Sequence, residues 1–320
     1  EIMVSTGLHA LVRSFLEPPL HHKGPLLLNR IGLQPVRSAW MNLSHAIRPK
    51  SDDSAVQAWT RLLDQDGMCV INDFLPAETF ERVTRAYHAY QHSANVAQVP
   101  NKKNTGVTWF EGPITNKDGT EPAAQVMIDA LSYDPRILAL ASHVLRRSVS
   151  GPLLLGYQWL HLPEGETDDR DIEGALHADR HYPCVKAAFY INDNDEANGA
   201  YVFCPGSHRF SWARLKHEYD FSVRQRQWAK GSAPEEVAPT ARGRPIPNEH
   251  DRAAMQLREV SVNGPANTLI LSNNMGFHRR GQLCPGQSRK QIRIIFYEYQ
   301  SPLFGRLVRR RYKRQRYGLS

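Results

Sequence analysis

Two residues that could hold a metal ion stand one residue apart in the segment Leu176-His177-Ala178-Asp179. In an extended chain, residues i and i+2 point to the same side, so His177 and Asp179 can aim an imidazole and a carboxylate at one ion. A second histidine from a distant strand would complete a face of two histidines and one carboxylate. That face leaves coordination positions open, which is typical of non-haem Fe(II) sites. The pair alone also fits a surface hydrogen bond.

The third ligand could be His278, which lies 99 residues after Asp179 and just beyond the apolar segment Thr268–Ser272. Eleven residues later, Arg289 opens the next predicted strand. An arginine there could hold the far carboxylate of a dicarboxylic cosubstrate through paired hydrogen bonds. Arg293 lies four residues along on the same face and is a less favoured alternative. A salt bridge at the rim of the fold is the other interpretation of Arg289.

Further cationic and aromatic side chains could line a pocket beside these motifs. Arg180 directly follows the acidic member of the pair, with His181 next to it, and Arg279 directly follows the distal histidine. Both arginines could meet a carboxylate or a phosphate. Trp109 lies in a polar segment, residues 97–122, that predicts a loop facing the pocket. Because neighbours in a strand alternate faces, pairing of the bases with surface acids is the alternative.

The segments that must position these residues change character near residue 152. From there on, short apolar stretches alternate with turn-rich segments, which predicts an all-β sandwich or barrel. The predicted strands are Leu153–Leu162, Cys184–Ile191, Ala200–Phe203, Gln256–Val262, Thr268–Ser272 and Gln291–Tyr299.

The preceding part of the chain predicts helices around one short strand. A helix ends near Gln65, a buried strand covers Met68–Ile71, and a further helix begins at Pro76. Residues 123–147 predict helices that are broken at Pro135. Helices and strands are therefore both needed, and the strands are concentrated around the candidate chemistry.

The composition is that of a globular enzyme. The chain has 320 residues, of which 41% are hydrophobic and 22% charged, which excludes a disordered tail or a small disulfide scaffold. Its apolar runs are far shorter than the roughly 20 residues that cross a bilayer. The four cysteines form no CxxC pair, so we predict reduced packing residues in a cytoplasmic protein.

The net charge of +8 is concentrated at the two ends of the chain. Residues 1–50 carry +4, residues 306–320 carry +7, and the body, residues 51–305, carries −3. We therefore predict a basic amphipathic N-terminal extension (1–50), a central domain (51–305) and a basic C-terminal tail (306–320).

Both ends have features of a membrane-contacting segment. Leu8, Leu11 and Phe15 fall on one face of a predicted helix, as in helices that lie on a membrane. In the tail, Arg310 and Arg311 would each add about 1 kcal/mol near an anionic leaflet. Packing of the helix on the body or on a second subunit, with a solvated tail, is the favoured interpretation. Peripheral contact with an anionic membrane at its inner face is the main alternative, and nucleic acid is a less favoured partner for the tail.

Order and spacing together resemble the phytanoyl-CoA dioxygenase family of Fe(II)/2-oxoglutarate-dependent oxygenases over about residues 64–300. The matching motifs are Asp66–Leu75, His177–Asp179, Asn198–Ala200, Cys204–His208, His278 and Arg289. The resemblance implies a double-stranded β-helix, a jelly-roll or cupin-like core with flanking helices, here with a helical N-terminal extension. The class is then mainly β.

The resemblance also implies a cofactor site. The implied ligands of Fe(II) are His177, Asp179 and His278. Arg289 would bind the C5 carboxylate of 2-oxoglutarate, and O2 would be the second cosubstrate. Gln158 and Trp159 lie in the region where the family makes secondary 2-oxoglutarate contacts. The sequence departs from the family pattern there, so these two residues are the weaker candidates.

The implied reaction is hydroxylation of a C–H bond with release of succinate and CO2, and retention of Asp179 argues against halogenation. Combined with the basic ends, the bases near the motifs predict an anionic substrate presented at a membrane: a lipid, a glycolipid or a lipopolysaccharide sugar such as an octulosonate. An acyl-CoA or a soluble metabolite is the main competitor. A metal-free jelly-roll binding module and a nucleic-acid-modifying oxygenase are the other classes.

Overall fold

The computed structural model describes residues 26–50, 53–99, 106–116, 119–168, 174–228 and 246–296. The residues predicted to contact a membrane lie outside these ranges: Leu8, Leu11, Phe15, Arg310 and Arg311. The helices are α1 (Leu26–Arg30), α2 (Leu33–Ala46), a 3-10 turn (Ser54–Val56), α3 (Gln57–Gln65), α4 (Ala77–Tyr90), α5 (Pro122–Leu131), α6 (Pro135–Leu145), α7 (Trp212–Trp228) and α8 (Glu249–Ala254).

Two antiparallel sheets form the centre of the molecule. The strands are β1 (Met68–Ile71), β2 (Ala97–Gln98), β3 (Thr108–Pro113), β4 (Leu154–His161), β5 (Val185–Tyr190), β6 (Tyr201–Phe203), β7 (Val260–Val262), β8 (Leu269–Asn273), β9 (His278–Arg280) and β10 (Ser288–Phe296). The larger sheet has the order β1-β8-β5-β10-β4-β3-β2, and the smaller sheet has the order β7-β6-β9. This arrangement confirms the predicted class, a mainly β jelly-roll core with flanking helices.

The larger sheet turns one face to the helices and the other to a cavity. On β10, Ile292, Ile294 and Phe296 pack into the hydrophobic core that the sheet forms with α3, α4, α5 and α6. Arg289 and Gln291 occupy odd-numbered positions of the same strand, and their side chains line the cavity on the other face. Because alternate side chains of a strand leave on opposite sides, one strand supplies both the core and the site.

The prediction of a loop over residues 97–122 was wrong for residues 97–98, which form strand β2, and for residues 108–113. The latter segment is strand β3, which pairs antiparallel with β4 along its whole length. Trp109 lines the cavity, whereas Phe110 packs on the helical side and stacks on Trp159 with ring centroids 5.1 Å apart. The polar residues on both sides of this segment made it look like a loop. Within the segment, however, side chains alternate between the two faces, as a strand beside β4 requires.

Helices α1 and α2 pack on α7 and bury polar side chains there. Gln34 Nε2 donates to Glu218 Oε2 at 3.0 Å. Ser38 Oγ and Asn42 Nδ2 donate to the carbonyl oxygen of His181 at 3.3 and 2.9 Å. The two helices are thereby joined to the chain just beyond the candidate HxD ligands. Among the described residues, no helix is long and apolar enough to cross a membrane.

The cysteines are free thiols, as predicted. Cys69, Cys184 and Cys204 are buried, whereas Cys284 is exposed and therefore does not serve core packing. Burial raises the pKa of Cys69 and of Cys204 to about 12, which keeps these two thiols protonated.

Candidate metal centre and active site

The backbone brings the two candidate histidine ligands face to face. His177 and His278 form an isolated antiparallel bridge, with reciprocal N–H to carbonyl hydrogen bonds of 2.9 and 2.8 Å. The Asp179 N–H donates to the carbonyl of Asn274 at 3.0 Å, which fixes the other end of the HxD segment. One nitrogen or oxygen atom from each of His177, Asp179 and His278 lies within 4.8 Å of the others. All three side chains are buried.

Hydrogen bonds to the backbone set the tautomer of both rings. His177 Nδ1 lies 2.7 Å from the carbonyl of Ala175, and His278 Nδ1 lies 3.0 Å from the carbonyl of Gly276. A carbonyl oxygen only accepts, so each Nδ1 carries a proton, and in the neutral ring the lone pair lies on Nε2. Asn274 Nδ2 donates to His278 Nε2 at 3.0 Å, which is consistent with that tautomer. Two imidazoles and one carboxylate fit an Fe(II) site with open positions.

Arg289 is placed to bind an anion in the same cavity. Its side chain is buried, and Nη1 donates to the carbonyl of Gly199 at 2.5 Å, while Nε has no hydrogen-bond partner. Among the described residues, no carboxylate forms a salt bridge with it. Burial lowers the pKa of Arg289 to about 10, so the guanidinium stays charged at neutral pH. A buried, unpaired cation is costly unless a ligand brings the opposite charge.

The rest of the cavity wall carries several basic side chains among apolar ones. Lys186 Nζ lies 2.5 Å from Asp179 Oδ2, and Arg293 lies 2.9 Å from Glu111 Oε2. The lining residues are Trp109, Gln158, His177, Lys186, Ala187, Ala188, Tyr201, Ile270, Ser272, Asn274, His278, Arg279, Arg280, Arg289, Gln291 and Arg293. Several of these cations are already paired with a carboxylate, which leaves Arg289 as the strongest candidate for a ligand carboxylate.

Of the two candidates on β4, the cavity includes one. Gln158 is buried in the cavity wall, where its Oε1 accepts from Gln291 Nε2. Trp159 leaves β4 on the opposite side and stacks on Phe110, away from the cavity. Gln291 stands two residues from Arg289, and that spacing already implied a place on the same face.

The candidate substrate residues separate into two groups. Trp109 and Arg279 line the cavity. Trp109 Nε1 donates to Glu111 Oε2, and Arg279 Nε lies 2.5 Å from Glu259 Oε2. Arg180 and His181 are not among the residues that line it. His181 is buried beneath the site, and its ring contacts the neighbouring tyrosine edge-on.

A buried arginine that the sequence did not single out joins the two ligand-bearing segments. On α7, Arg214 Nη1 donates to the carbonyl of Met275 at 2.9 Å, and Nη2 donates to the carbonyl of Arg180 at 3.2 Å. Its guanidinium lies 4.5 Å from the centre of the Phe277 ring. Arg214 therefore connects the chain after Asp179 to the turn before His278.

Glu218 balances the charge of Arg214 inside the protein. Arg214 Nε lies 3.1 Å from Glu218 Oε1, and both side chains are fully buried. Burial alone would raise the pKa of Glu218, but the adjacent guanidinium, together with His181, His217 and the hydrogen bond from Gln34, holds it below its usual value. Helix spacing gives the i,i+4 relation, but no sequence pattern shows which face of α7 is buried.

Replacing Arg214 with methionine is expected to lower the free energy of unfolding by about 3–5 kcal/mol, because Glu218 would remain buried without its partner. Urea denaturation of the metal-free protein measures this change. Lys216→Met is the matched control, since Lys216 forms an exposed i,i+4 pair with Asp220 on the same helix. The control should lose far less stability, because solvent screens an exposed ion pair. Equal losses in the two variants would contradict the role given to Arg214.

A jelly-roll core that gathers two histidines and a carboxylate at a basic cavity defines an iron- and 2-oxoglutarate-dependent oxygenase. A family model described as phytanoyl-CoA dioxygenase (PhyH) matches residues 63–246, which is more than half of the chain. The chain belongs to the phytanoyl-CoA dioxygenase family and is a dioxygenase whose metal is iron and whose cosubstrate is 2-oxoglutarate.

Several solved structures have a similar fold. The epimerase SnoN, in complex with Fe3+, alpha ketoglutarate and nogalamycin RO, is 14% identical with a TM-score of 0.49 over 76% of this chain and 84% of that one. AviO1 from Streptomyces viridochromogenes Tue57 is 15% identical, with a TM-score of 0.48 over 79% and 98%. EctD from S. alaskensis, with 2-oxoglutarate and 5-hydroxyectoine, is 16% identical, with a TM-score of 0.47 over 78% and 81%. No curated protein matches the chain in sequence.

Proposed function

We propose that this dioxygenase hydroxylates a C–H bond of a small molecule that carries an anionic group. In this proposal the iron ligands are His177, Asp179 and His278. Arg289 holds the far carboxylate of 2-oxoglutarate. The observation that carries the proposal is the buried Arg289 guanidinium, whose Nε has no partner and whose charge is not balanced by a salt bridge within the described residues.

The chain's own part in the reaction is to bind and to orient. Bound iron with 2-oxoglutarate supplies the activation of O2 that C–H oxidation needs. The backbone bridge between His177 and His278 sets the direction of both rings, and the Nδ1 hydrogen bonds turn both Nε2 atoms toward the metal. His278 Nε2 would exchange its hydrogen bond from Asn274 for the metal. Arg289 and the buried wall around Gln291 fix the cosubstrate and exclude water from the site.

An anionic substrate is supported by the charge of the remaining wall. Lys186 and Arg279 line the cavity together with the metal cluster, and each lies beside a carboxylate that a substrate anion could replace as partner. A lipid, a glycolipid or an octulosonate of lipopolysaccharide stays a prediction, as do an acyl-CoA and a soluble metabolite. The anionic group common to these proposed substrates would be a carboxylate or a phosphate.

Anaerobic titration of the protein with Fe(II) and then 2-oxoglutarate tests the cofactor site. The visible charge-transfer band of an Fe(II)–2-oxoglutarate chelate is expected only when both are present. Absence of this band in folded, iron-replete protein would contradict the proposal and would favour the metal-free binding module.

Succinate release tests the substrate class. Carboxylate- or phosphate-bearing compounds are expected to stimulate 2-oxoglutarate turnover, whereas their neutral esters or amides are not, because an uncharged analogue cannot replace the carboxylate partners of Lys186 and Arg279. Arg279→Gln should weaken the preference by raising the KM for the anionic compound. Equal stimulation by charged and neutral members of each pair would exclude an anion as the recognised group.

A further inference from the structure

Helix α2 buries mainly polar side chains and exposes apolar ones. Its buried positions are largely polar: Leu33, Gln34, Arg37, Ser38, Met41 and Asn42. Its exposed face carries Val36, Trp40, Leu43 and Ile47, with 55, 46, 61 and 83% of their surface exposed. The spacing i, i+4, i+7, i+11 places these four residues in one stripe. A helix on the surface of a protein in water normally presents the opposite arrangement.

Two further exposed apolar residues lie just before α2, one on α1 and one in the turn that follows it. Leu27 and Ile31 are 70 and 73% exposed. Together the six residues, here called the α1–α2 stripe, make up six of the ten exposed large hydrophobic side chains in the described part of the chain. Clustering of this kind marks a surface that is covered in the working state of a protein.

The charge around the stripe indicates what covers it. Residues 18–51 contain no Asp or Glu, and Arg30, Arg48 and Lys50 stand at its two ends. Arg30 is exposed, and Lys50 pairs with Asp64 at 2.6 Å. An apolar stripe with a tryptophan between basic ends matches a helix that lies in the interface of an anionic membrane.

A second copy of the chain suits this surface less well. A twofold dimer brings the same patch of both copies together, so the bases at its ends would meet a surface of their own sign. The stripe segment has no acid that could pair with them. Like charges placed opposite each other disfavour such an interface.

We propose that the α1–α2 stripe seats the enzyme on an anionic lipid surface. The apolar side chains of α2 enter the boundary between headgroups and acyl chains, and the exposed Arg30 faces the anionic headgroups. The opposite face of α2 holds the chain beyond Asp179 through Ser38 and Asn42. The membrane-facing helix is thus also part of the wall behind the metal centre. This docking does not depend on the substrate class proposed above.

Sedimentation of the full chain with vesicles tests the proposal. Vesicles of phosphatidylcholine with phosphatidylserine should bind the parent protein at least about tenfold more tightly than vesicles of phosphatidylcholine alone, since each base near an anionic surface contributes. Trp40→Ser combined with Leu43→Ser should weaken binding to the anionic vesicles by at least about tenfold, because two apolar side chains no longer leave water. Both positions are exposed, so 2-oxoglutarate turnover in the absence of vesicles should be unchanged.

The matched control is Tyr133→Ser combined with Trp212→Ser, two exposed aromatic residues outside the stripe. This variant should bind vesicles as the parent does. Failure of the parent to prefer anionic vesicles would overturn the proposal. Full retention of binding in the Trp40/Leu43 variant would assign membrane contact to another part of the chain and would overturn it as well. Light scattering would identify a second copy as the occupant instead if the parent and the control variant were dimers and the Trp40/Leu43 variant were a monomer.

Discussion

Replacing His177 with alanine is expected to yield a folded protein that no longer retains iron. Loss of hydrogen-bonding partners around metal ligands already costs 10–100-fold in affinity, so loss of a proposed ligand should cost at least about 100-fold. Succinate release should fall to background, because only Asp179 and His278 would remain to hold the ion. Iron content after gel filtration and the anaerobic chelate band measure both effects.

His88→Ala is the control for His177→Ala. His88 is exposed on α4 and is not part of the metal cluster. Iron content and turnover should match those of the parent. If His177→Ala kept a stoichiometric iron and the band, another set of residues would have to be the metal site.

Arg289→Leu is expected to weaken 2-oxoglutarate binding by about 30-fold or more while iron is still bound. Removing one partner of a buried charge pair costs 2–5 kcal/mol, and 1.4 kcal/mol corresponds to a factor of ten. The metal-free protein should lose little stability, about 1 kcal/mol at most, because the guanidinium makes a hydrogen bond to Gly199 but no salt bridge in the described structure. Titration calorimetry with 2-oxoglutarate and urea denaturation give the two values.

Arg293→Leu distinguishes the two arginines on the inner face of β10. Arg293 is already paired with Glu111, so its loss should reduce stability more and 2-oxoglutarate affinity less than the loss of Arg289. The reverse result would transfer the carboxylate-binding role to Arg293.

Alternation along strands explains how much of the site could be read from the sequence. His177 and Asp179 lie one residue apart, and Arg289 opens a strand, so simple two-residue periodicity placed them on inner faces. The same rule separates Gln158 from Trp159, because adjacent residues of β4 cannot both face the cavity. Trp159 lies on the helical side of the sheet, stacked on Phe110.

Two other features needed the three-dimensional structure. Arg214 acts from a helix far along the chain, and only tertiary packing shows that it contacts the carbonyls beside both ligand segments. The apolar residues of α2 were visible in the sequence, but an apolar helical face usually turns inward. Burial of Gln34, Ser38 and Asn42 against α7 and His181 decides the opposite orientation.

The place of β10 in the larger sheet has a consequence for biosynthesis. This strand is the last one described, yet it lies between β5 and β4 near the middle of the sheet. Until it leaves the ribosome, β4 and β5 each have an unpaired edge, which is a template for aggregation. Arg289 arrives on the same strand, so the arginine proposed to hold 2-oxoglutarate takes its place only when β10 pairs with β4 and β5.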